Sequence, residues 1–324
     1  MGEPIFILGI MPRSGTNYLW DLIRLHPAIP TTDPVMEAFM VAESRQLHRF
    51  VANVCSHWSP EWGVHEGLRR ELTERLGAAI IDFLAARAGG RQFVTKTPSV
   101  RSLEHLFEFF PQARVLIIIR DGRSVIESGV RTFGWEYERA MHRFAAAARS
   151  IIRFQQSDVP RDRYRIVRYE DAFRDPMGTM SELLPFLGLD PSRYDFSSAC
   201  NLPVRGSSRV LERSDQIHWE PLTDLQHFDP VKRWRGWDRR RHERFNWVAG
   251  RWQRQLGYDL VESAGLRFIW SSRNRALDFA LALGKEAQTV RAMAGRFLRR
   301  LRGLFASGEV RDENDWRRAV VPHS

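Results

Sequence analysis

Three short groups of residues carry the side chains best suited to chemistry on a phosphorylated ligand. The first is Met11-Pro12-Arg13-Ser14-Gly15-Thr16-Asn17. It follows the apolar run Ile5 to Ile10 and precedes Tyr18, Leu19, Leu22, Ile23 and Leu25, which recur at helical spacing. A small-residue loop between a strand and a helix N-terminus aims successive backbone N–H groups at one point, and so forms an anion cradle. The second group is Arg120-Asp-Gly-Arg-Ser-Val-Ile-Glu-Ser128, which starts where the apolar run Val115 to Ile119 ends. Arg120 and Ser128 are placed to face a second phosphate. The third is Phe93-Val-Thr-Lys96-Thr-Pro98, which sets a lysine at the end of a short strand, the side of an open parallel sheet where ligands bind. A solvated strand end is the plainer account of Lys96.

The elements that must hold these groups alternate. Strands are expected at Ile5 to Ile10, Phe93 to Thr95, Arg114 to Ile119 and Tyr164 to Val167. Helical patterns are expected at Leu68 to Ala88, Val100 to Phe109 and Arg139 to Phe154. This order implies an α/β fold with a parallel sheet flanked by helices on both faces, and the unbroken apolar run before Arg120 reads as its central strand.

A chain of 324 residues with 43% hydrophobic content buries a sizeable core, which excludes disorder for the bulk. Two cysteines, Cys55 and Cys200, make neither a disulfide framework nor a zinc cage, so a cytoplasmic setting is expected. The start MGEPIFILGI reads as a strand and not as a signal peptide, and no run reaches the length of a membrane span. The formal charge is +10, and only Lys96, Lys232 and Lys285 are lysine. An arginine-dominated surplus suits phosphate and sulfate recognition, although a coding bias toward arginine gives the same figure. Composition leaves anionic ligands, nucleic acid and membrane lipid all open.

From Lys232 to Arg254 nine basic residues interleave with Trp234, Trp237, Trp247 and Trp252, a pattern expected as a helix with a basic face. After Tyr258 the strand signals stop. A boundary is therefore expected near residue 262, with residues 263–324 as a basic helical C-terminal extension. On a helical wheel Val290, Met293, Phe297, Leu301, Leu304 and Phe305 gather opposite Arg291, Arg296, Arg299 and Arg302. That helix either packs on its own domain, meets a partner, or lies peripherally at an anionic membrane face.

The ordered set of motifs resembles the PAPS-dependent sulfotransferases over roughly residues 4 to 259. Pro12 to Asn17 looks like the family's 5′-phosphosulfate loop, and Arg120 with Ser128 look like its 3′-phosphate pair. Arg168-Tyr169-Glu170-Asp171, Phe186-Leu-Gly-Leu189, Arg205-Gly-Ser-Ser-Arg209, Lys232-Arg-Trp234 and Leu256-Gly-Tyr258 add to the likeness. The stretch from Ser208 to Gln216 is closer to the tyrosylprotein and bacterial branches than to the phenol branch. The resemblance implies a P-loop-kinase-like fold and transfer of a sulfonate from 3′-phosphoadenosine 5′-phosphosulfate (PAPS) to a hydroxyl, with adenosine 3′,5′-bisphosphate released and no metal required. It assigns Pro12, Arg13, Ser14, Gly15, Thr16, Asn17, Arg120, Ser128 and Tyr169 to the donor, and Arg13 and Lys96 to stabilising the transferred group. Ser207 or Ser208 would approach nucleotide or acceptor.

Some members of the family carry a histidine two residues after the counterpart of Lys96, but Pro98 stands there in this chain. Others use a glutamate some twenty residues past the loop. Glu37 is the first candidate for that general base and Asp33 the second. A place on the first turns of a solvated helix is the plainer reading of Glu37. The expected acceptor is a carbohydrate or glycolipid, with a tyrosine-bearing peptide or a small natural product as alternatives, and no specific nucleic acid. His26 reads as structural, and a metal site from His57, His65 and Glu66 fits no standard spacing.

Two rivals share features with this reading. A P-loop small-molecule kinase has the same architecture, but its G-x-x-x-x-G-K-[ST] lysine is absent because Thr16 and Asn17 follow Gly15. A polyanion- or membrane-binding module would rest on the tryptophan and arginine stretch from Lys232 to Arg254.

Overall fold

The computed structural model describes residues 3–30, 37–62, 66–90, 92–204, 229–261 and 268–283. The chain divides into two compact units, Met1–Ser263 and Ala264–Ser324. In the first unit, strands β1 (Ile5–Gly9), β2 (Val94–Thr97), β3 (Arg114–Ile119) and β4 (Tyr164–Arg168) form one sheet of order β2-β1-β3-β4, with every pair parallel. Ile7 registers with Lys96 on one side and Leu116 on the other, and Ile119 with Arg168. The helices of this unit are α1 (Thr16–Ile23), α2 (Phe39–Ala42), α3 (Ser44–Ser56), α4 (Glu66–Arg87), α5 (Leu106–Phe109) and α6 (Gly122–Phe133). They continue with α7 (Tyr137–Gln156), α8 (Tyr169–Arg174), α9 (Pro176–Phe186), α10 (Phe196–Cys200) and α11 (Arg239–Gln255). The described part of the second unit is a helix over 268–283. No helix among the described residues is long and apolar enough to cross a membrane.

Strand alternation sorts the core into two layers. Phe6 and Leu8 of β1 and Val115, Ile117 and Ile119 of β3 pack with Val125, Ile126, Phe144, Ile151 and Phe245 from α6, α7 and α11. Ile5 and Ile7 of β1 and Leu116 and Ile118 of β3 pack on the other face with Leu19, Leu22, Met180 and Leu184 from α1 and α9. Burial on both faces is why the central strand carries no polar alternation. All four expected strands are present, with β2 ending two residues later than expected, so Lys96 lies within the strand and is 1% exposed.

Two helical expectations change. The pattern from Val100 to Phe109 yields a 3-10 turn at Leu103–His105 followed by only one α-helical turn. Ser102 sits at φ 74°, in the left-handed region, which prevents a helix from running through it. Likewise Lys232 to Arg254 is not one helix. A 3-10 turn, Arg233–Gly236, comes first, and α11 starts only at Arg239, where Asp238 accepts from the Arg241 N–H at 2.8 Å as an N-cap.

The turn Arg233–Gly236 is held from below by Glu127, whose carboxylate accepts from Tyr137 Oη (2.7 Å), Trp237 Nε1 (2.8 Å) and Arg131 Nε (2.6 Å). Burial alone would raise this carboxyl, but those hydrogen bonds bring it below its ordinary value of 4.5. A carboxyl whose folded value lies below the unfolded one stabilises the fold above that unfolded value and loses the contribution as pH falls through the folded one. Glu127→Gln therefore flattens the fall in stability below pH 4.5, as read by urea denaturation at several pH values. An acid limb as steep as that of the parent protein contradicts this role.

Candidate active site

Strands β1 and β3 lie side by side, yet their following loops lead to helices that pack in different layers, which opens a crevice at their C-terminal ends. The loop after β1 fills it. Arg13 adopts φ 76° and Gly15 φ 103°, so two left-handed residues flank Ser14 and turn the backbone N–H groups toward the N-terminus of α1. Gly15 is required for a second reason. A Cβ there would lie 2.2 Å from Tyr169 Cδ2. Gly15→Ala is expected to cost about 2–4 kcal/mol, combining backbone strain with the clash, and to lower the urea midpoint accordingly. A midpoint equal to that of the parent protein means the loop has another conformation.

The side chains brought around this loop are basic. Arg13 Nε donates to Ser128 Oγ at 3.1 Å. Arg120, 5% exposed, donates from Nη1 to the Arg13 carbonyl at 2.6 Å and from Nη2 to the Pro230 carbonyl. Its guanidinium carbon lies 4.3 Å from the ring centroid of buried Tyr169. Arg233 completes the group. Arg13 and Arg233 are both pushed down to about 10, by burial first and then by the positive charge of neighbouring arginines, Arg120 above all. Burial also raises the Tyr169 phenol. Gathering one buried and two half-buried guanidiniums that repel one another is unfavourable unless an anion joins them.

Two further atoms point the same way. Ser14 Oγ and Arg120 Nε are buried and have no hydrogen-bond partner among the described residues. Orphaned donors beside a cationic loop fit a polyanionic ligand with two phosphate-bearing ends, one on the loop and one on Arg120 and Ser128.

Lys96 and Glu37 form a second centre. Glu37 is not on a helix; it makes an isolated parallel bridge with Lys96, and the Ala38 N–H donates to the Lys96 carbonyl at 3.1 Å. The Lys96 Nζ, fully buried, donates to Glu37 Oε1 at 2.9 Å. Glu37 Oε2 accepts no hydrogen bond among the described residues, and the side chain is 30% exposed. Trp20 backs the pair: its ring centroid is 5.9 Å from Lys96 Nζ, and its Nε1 donates to the Val94 carbonyl. A buried cation holding one oxygen of a half-open carboxylate leaves the other oxygen to receive a proton.

Of the residues expected from the sequence, Pro12 to Asn17, Arg120, Ser128 and Tyr169 thus meet in one crevice, and Lys96 meets Glu37. Asp33, Ser207, Ser208, the stretch Arg205 to Arg209 and the helix expected near 290–305 lie outside the described residues, as does His65. Distant motifs also meet. Glu170 accepts from the Asp121 N–H at 2.9 Å and from Tyr258 Oη at 2.8 Å, and Ser124 Oγ donates to the Val231 carbonyl at 2.6 Å. The bonds from Ser124 to Val231 and from Arg120 to Pro230 dock this segment beside Arg120. His26 is structural, bonded to the Asp190 carbonyl and the Ala28 N–H. Arg233 had no assigned role in the sequence; its signal, a basic residue beside Trp234, is repeated too often between Lys232 and Arg254 to single it out.

A parallel α/β sheet with a glycine-turned anion loop after its first strand defines a P-loop-like fold. The pattern described as "Sulfotransferase family" matches residues 4–193, more than half of the chain, and the chain belongs to that family. It is similar to "Protein-tyrosine sulfotransferase" of Drosophila melanogaster, 27% identical over 201 residues that cover 57% of this chain and 38% of that protein. It is also similar to "Protein-tyrosine sulfotransferase A" of Caenorhabditis elegans, 26% identical over 202 residues, covering 58% of this chain and 50% of that one. The chain therefore spans half or less of the length of these two curated relatives. Among solved structures, the "Sulfotransferase Domain from the Synechococcus PCC 7002 Olefin Synthase" superposes with a TM-score of 0.51 at 23% identity, over 81% of this chain and 98% of that one. That likeness supports the fold alone.

Proposed function

We propose that this chain is a sulfotransferase that takes PAPS as donor and an acceptor hydroxyl as nucleophile. The observation that carries the reading is the cluster of buried Arg120 with half-buried Arg13 and Arg233 around a glycine-turned loop, with Ser14 Oγ and Arg120 Nε left unpartnered among the described residues. The loop from Pro12 to Asn17 would hold the 5′-phosphosulfate end. Arg120, Ser128 and Arg233 would hold the 3′-phosphate, beside Tyr169. Bound there, PAPS supplies the sulfonate and leaves as adenosine 3′,5′-bisphosphate.

The protein's own groups then do three things. Glu37 Oε2 takes the acceptor's proton while Lys96 keeps Oε1 engaged and the carboxylate oriented. Lys96 and Arg13 offset the charge that develops on the transferred group and on the leaving oxygen. Trp20 and the buried strand fix Lys96 so that no reorganisation is needed. A kinase reading lacks its loop lysine, since Thr16 and Asn17 follow Gly15, and Lys96 lies on β2 and is bonded to Glu37.

Acceptor recognition falls to the rim. Phe39, 54% exposed, follows two residues after Glu37; Phe133, 41% exposed, lies against Arg13 and stacks on Trp135. Such rings suit a carbohydrate or glycolipid hydroxyl, the first reading. The two tyrosylprotein relatives favour a tyrosine-bearing peptide as the second. Residues 1–262 would form the catalytic unit. The basic extension 263–324 would serve a cytoplasmic enzyme as a peripheral contact with anionic lipid. The test is bisphosphate release from PAPS, followed with oligosaccharide, glycolipid and tyrosine-peptide acceptors. Release that depends on one acceptor class supports the reading and chooses between the two; acceptor-independent or absent turnover in folded protein that binds PAPS contradicts it.

A further inference from the structure

The segment that carries Glu37 continues through α2 and α3, which lie along the chain that follows Lys96. Side chains tie the two together in succession. Thr97 Oγ1 donates to the Ala38 carbonyl at 2.9 Å and Ser102 Oγ to the Ala42 carbonyl at 2.8 Å. Arg101 then pairs with Glu43, and Arg45 with Glu104. At the end of this row stand His48 of α3, His105 at the end of the 3-10 turn Leu103–His105, and Glu108 of α5.

Their arrangement is unlike the ion pairs before it. His48 Nδ1 lies 2.8 Å from Glu108 Oε2, and His105 Nδ1 lies 2.8 Å from Glu108 Oε1. The two imidazoles stack with centroids 3.9 Å apart and planes inclined by 22°. Both Nδ1 atoms therefore converge on one carboxylate, and one donor atom from each residue lies within 4.8 Å of the others. The side chains are 19–40% exposed, so an ion reaches them from solvent.

We propose that His48, His105 and Glu108 bind a divalent transition-metal ion, with zinc the best match, and so clamp α3 to α5. Two imidazoles and one carboxylate are a donor set that zinc accepts, with the fourth position left to water. Ligand atoms about 2.0–2.1 Å from a tetrahedral ion stand roughly 3.4 Å apart, so the contact to the ligating oxygen must open by about 0.6 Å and the other imidazole must turn from the second oxygen toward the ion. Small side-chain rotations of half-exposed groups supply that. Ligation through Nδ1 leaves each ring proton on Nε2, and on His105 that nitrogen faces the Glu104 carboxylate, 4.0 Å away. Beside the site is a cavity of about 460 Å³ lined in part by His48, Arg69, Thr73 and Phe107, which gives room for the water ligand.

The ion takes no part in transfer. It fixes the segment that holds Glu37 against the strand that holds Lys96. The site itself does not depend on the sulfonate-transfer reading, so the experiment reads metal and not turnover. The full chain is dialysed against zinc chloride and its metal content measured, then loaded with cobalt(II) and its visible spectrum recorded. One zinc per chain and the intense d–d absorption of a four-coordinate cobalt site are expected. His48→Ala and His105→Ala should each weaken zinc by more than the roughly 10- to 100-fold that outer partners of a ligand are worth. Zinc at about 100 times its Kd should raise the melting temperature of the parent protein by about 5–10 °C and leave both variants unmoved. Two results overturn the proposal: a folded parent protein that retains no zinc, or one whose zinc content and cobalt spectrum survive in the His48→Ala/His105→Ala double variant. The cobalt spectrum of the parent protein needs no variant to fold.

Discussion

Arg120→Ala is expected to weaken binding of adenosine 3′,5′-bisphosphate by roughly two to three orders of magnitude, the usual cost of truncating a buried, hydrogen-bonded charge at an anion site. Three features make this side chain the largest single contributor. It is 5% exposed, so its charge acts with little water between; it lies in the strand-end crevice; and its Nε is buried without a partner among the described residues. Its Nη1 and Nη2 bonds to the carbonyls of Arg13 and Pro230 raise the question of whether alanine also loosens the loop. Arg120→Lys answers it. Lysine keeps the charge and loses the planar fork, so affinity should fall between that of the parent protein and that of the alanine variant. Calorimetry gives the affinities, and thermal melting shows whether the fold survives. Alanine and parent proteins binding the bisphosphate equally well would remove Arg120 from the donor site.

The second large effect separates chemistry from binding. Glu37→Gln should lower kcat by roughly 10²- to 10⁴-fold, the range attached to a general base, and leave bisphosphate affinity within about twofold of the parent value. Glutamine keeps the shape and still accepts from Lys96 Nζ through its carbonyl oxygen, but it takes no proton. Lys96→Met should cost kcat on a similar scale through loss of positive charge at the transferred group. It also leaves the Glu37 carboxylate without its 2.9 Å partner, so the pair should not be additive. A double variant no slower than the slower single variant is the expected pattern. Full activity in Glu37→Gln would return Glu37 to a structural role and move the search for the base to the region of Asp33.

Much of this was legible in the chain itself, for identifiable reasons. The run Val115 to Ile119 is apolar throughout because both of its faces are covered, and Arg120 marks the point where that cover ends. The loop after β1 was legible because small residues stand between the apolar run Ile5 to Ile10 and the helical spacing that starts at Tyr18; the left-handed Gly15 against Tyr169 came only with the structure. Glu37 was reached only by its distance from the loop. What the sequence hides is the bridge that sets it beside Lys96, a pairing between segments 59 residues apart with no local signature. Arg233 was hidden by repetition, since nine basic residues crowd Lys232 to Arg254 and only the docking of Pro230 and Val231 onto Arg120 and Ser124 singles out one of them. Helical periodicity misled at Val100 to Phe109, where Ser102 breaks the run. The His48, His105 and Glu108 cluster was equally hidden, because one of its histidines comes from α3 and the other from a turn more than fifty residues later.

The ligand proposed for the arginine-ringed loop is a nucleotide carrying phosphates at both the 3′ and 5′ positions. The most direct test titrates adenosine 3′,5′-bisphosphate, adenosine 5′-monophosphate and ATP into the protein by calorimetry without magnesium. The bisphosphate should bind tightest, by at least about tenfold over the 5′-monophosphate, the gain from one charge-assisted phosphate contact. ATP should bind weakly. Equal affinity for all three in a folded sample, or a preference for ATP, would contradict the account.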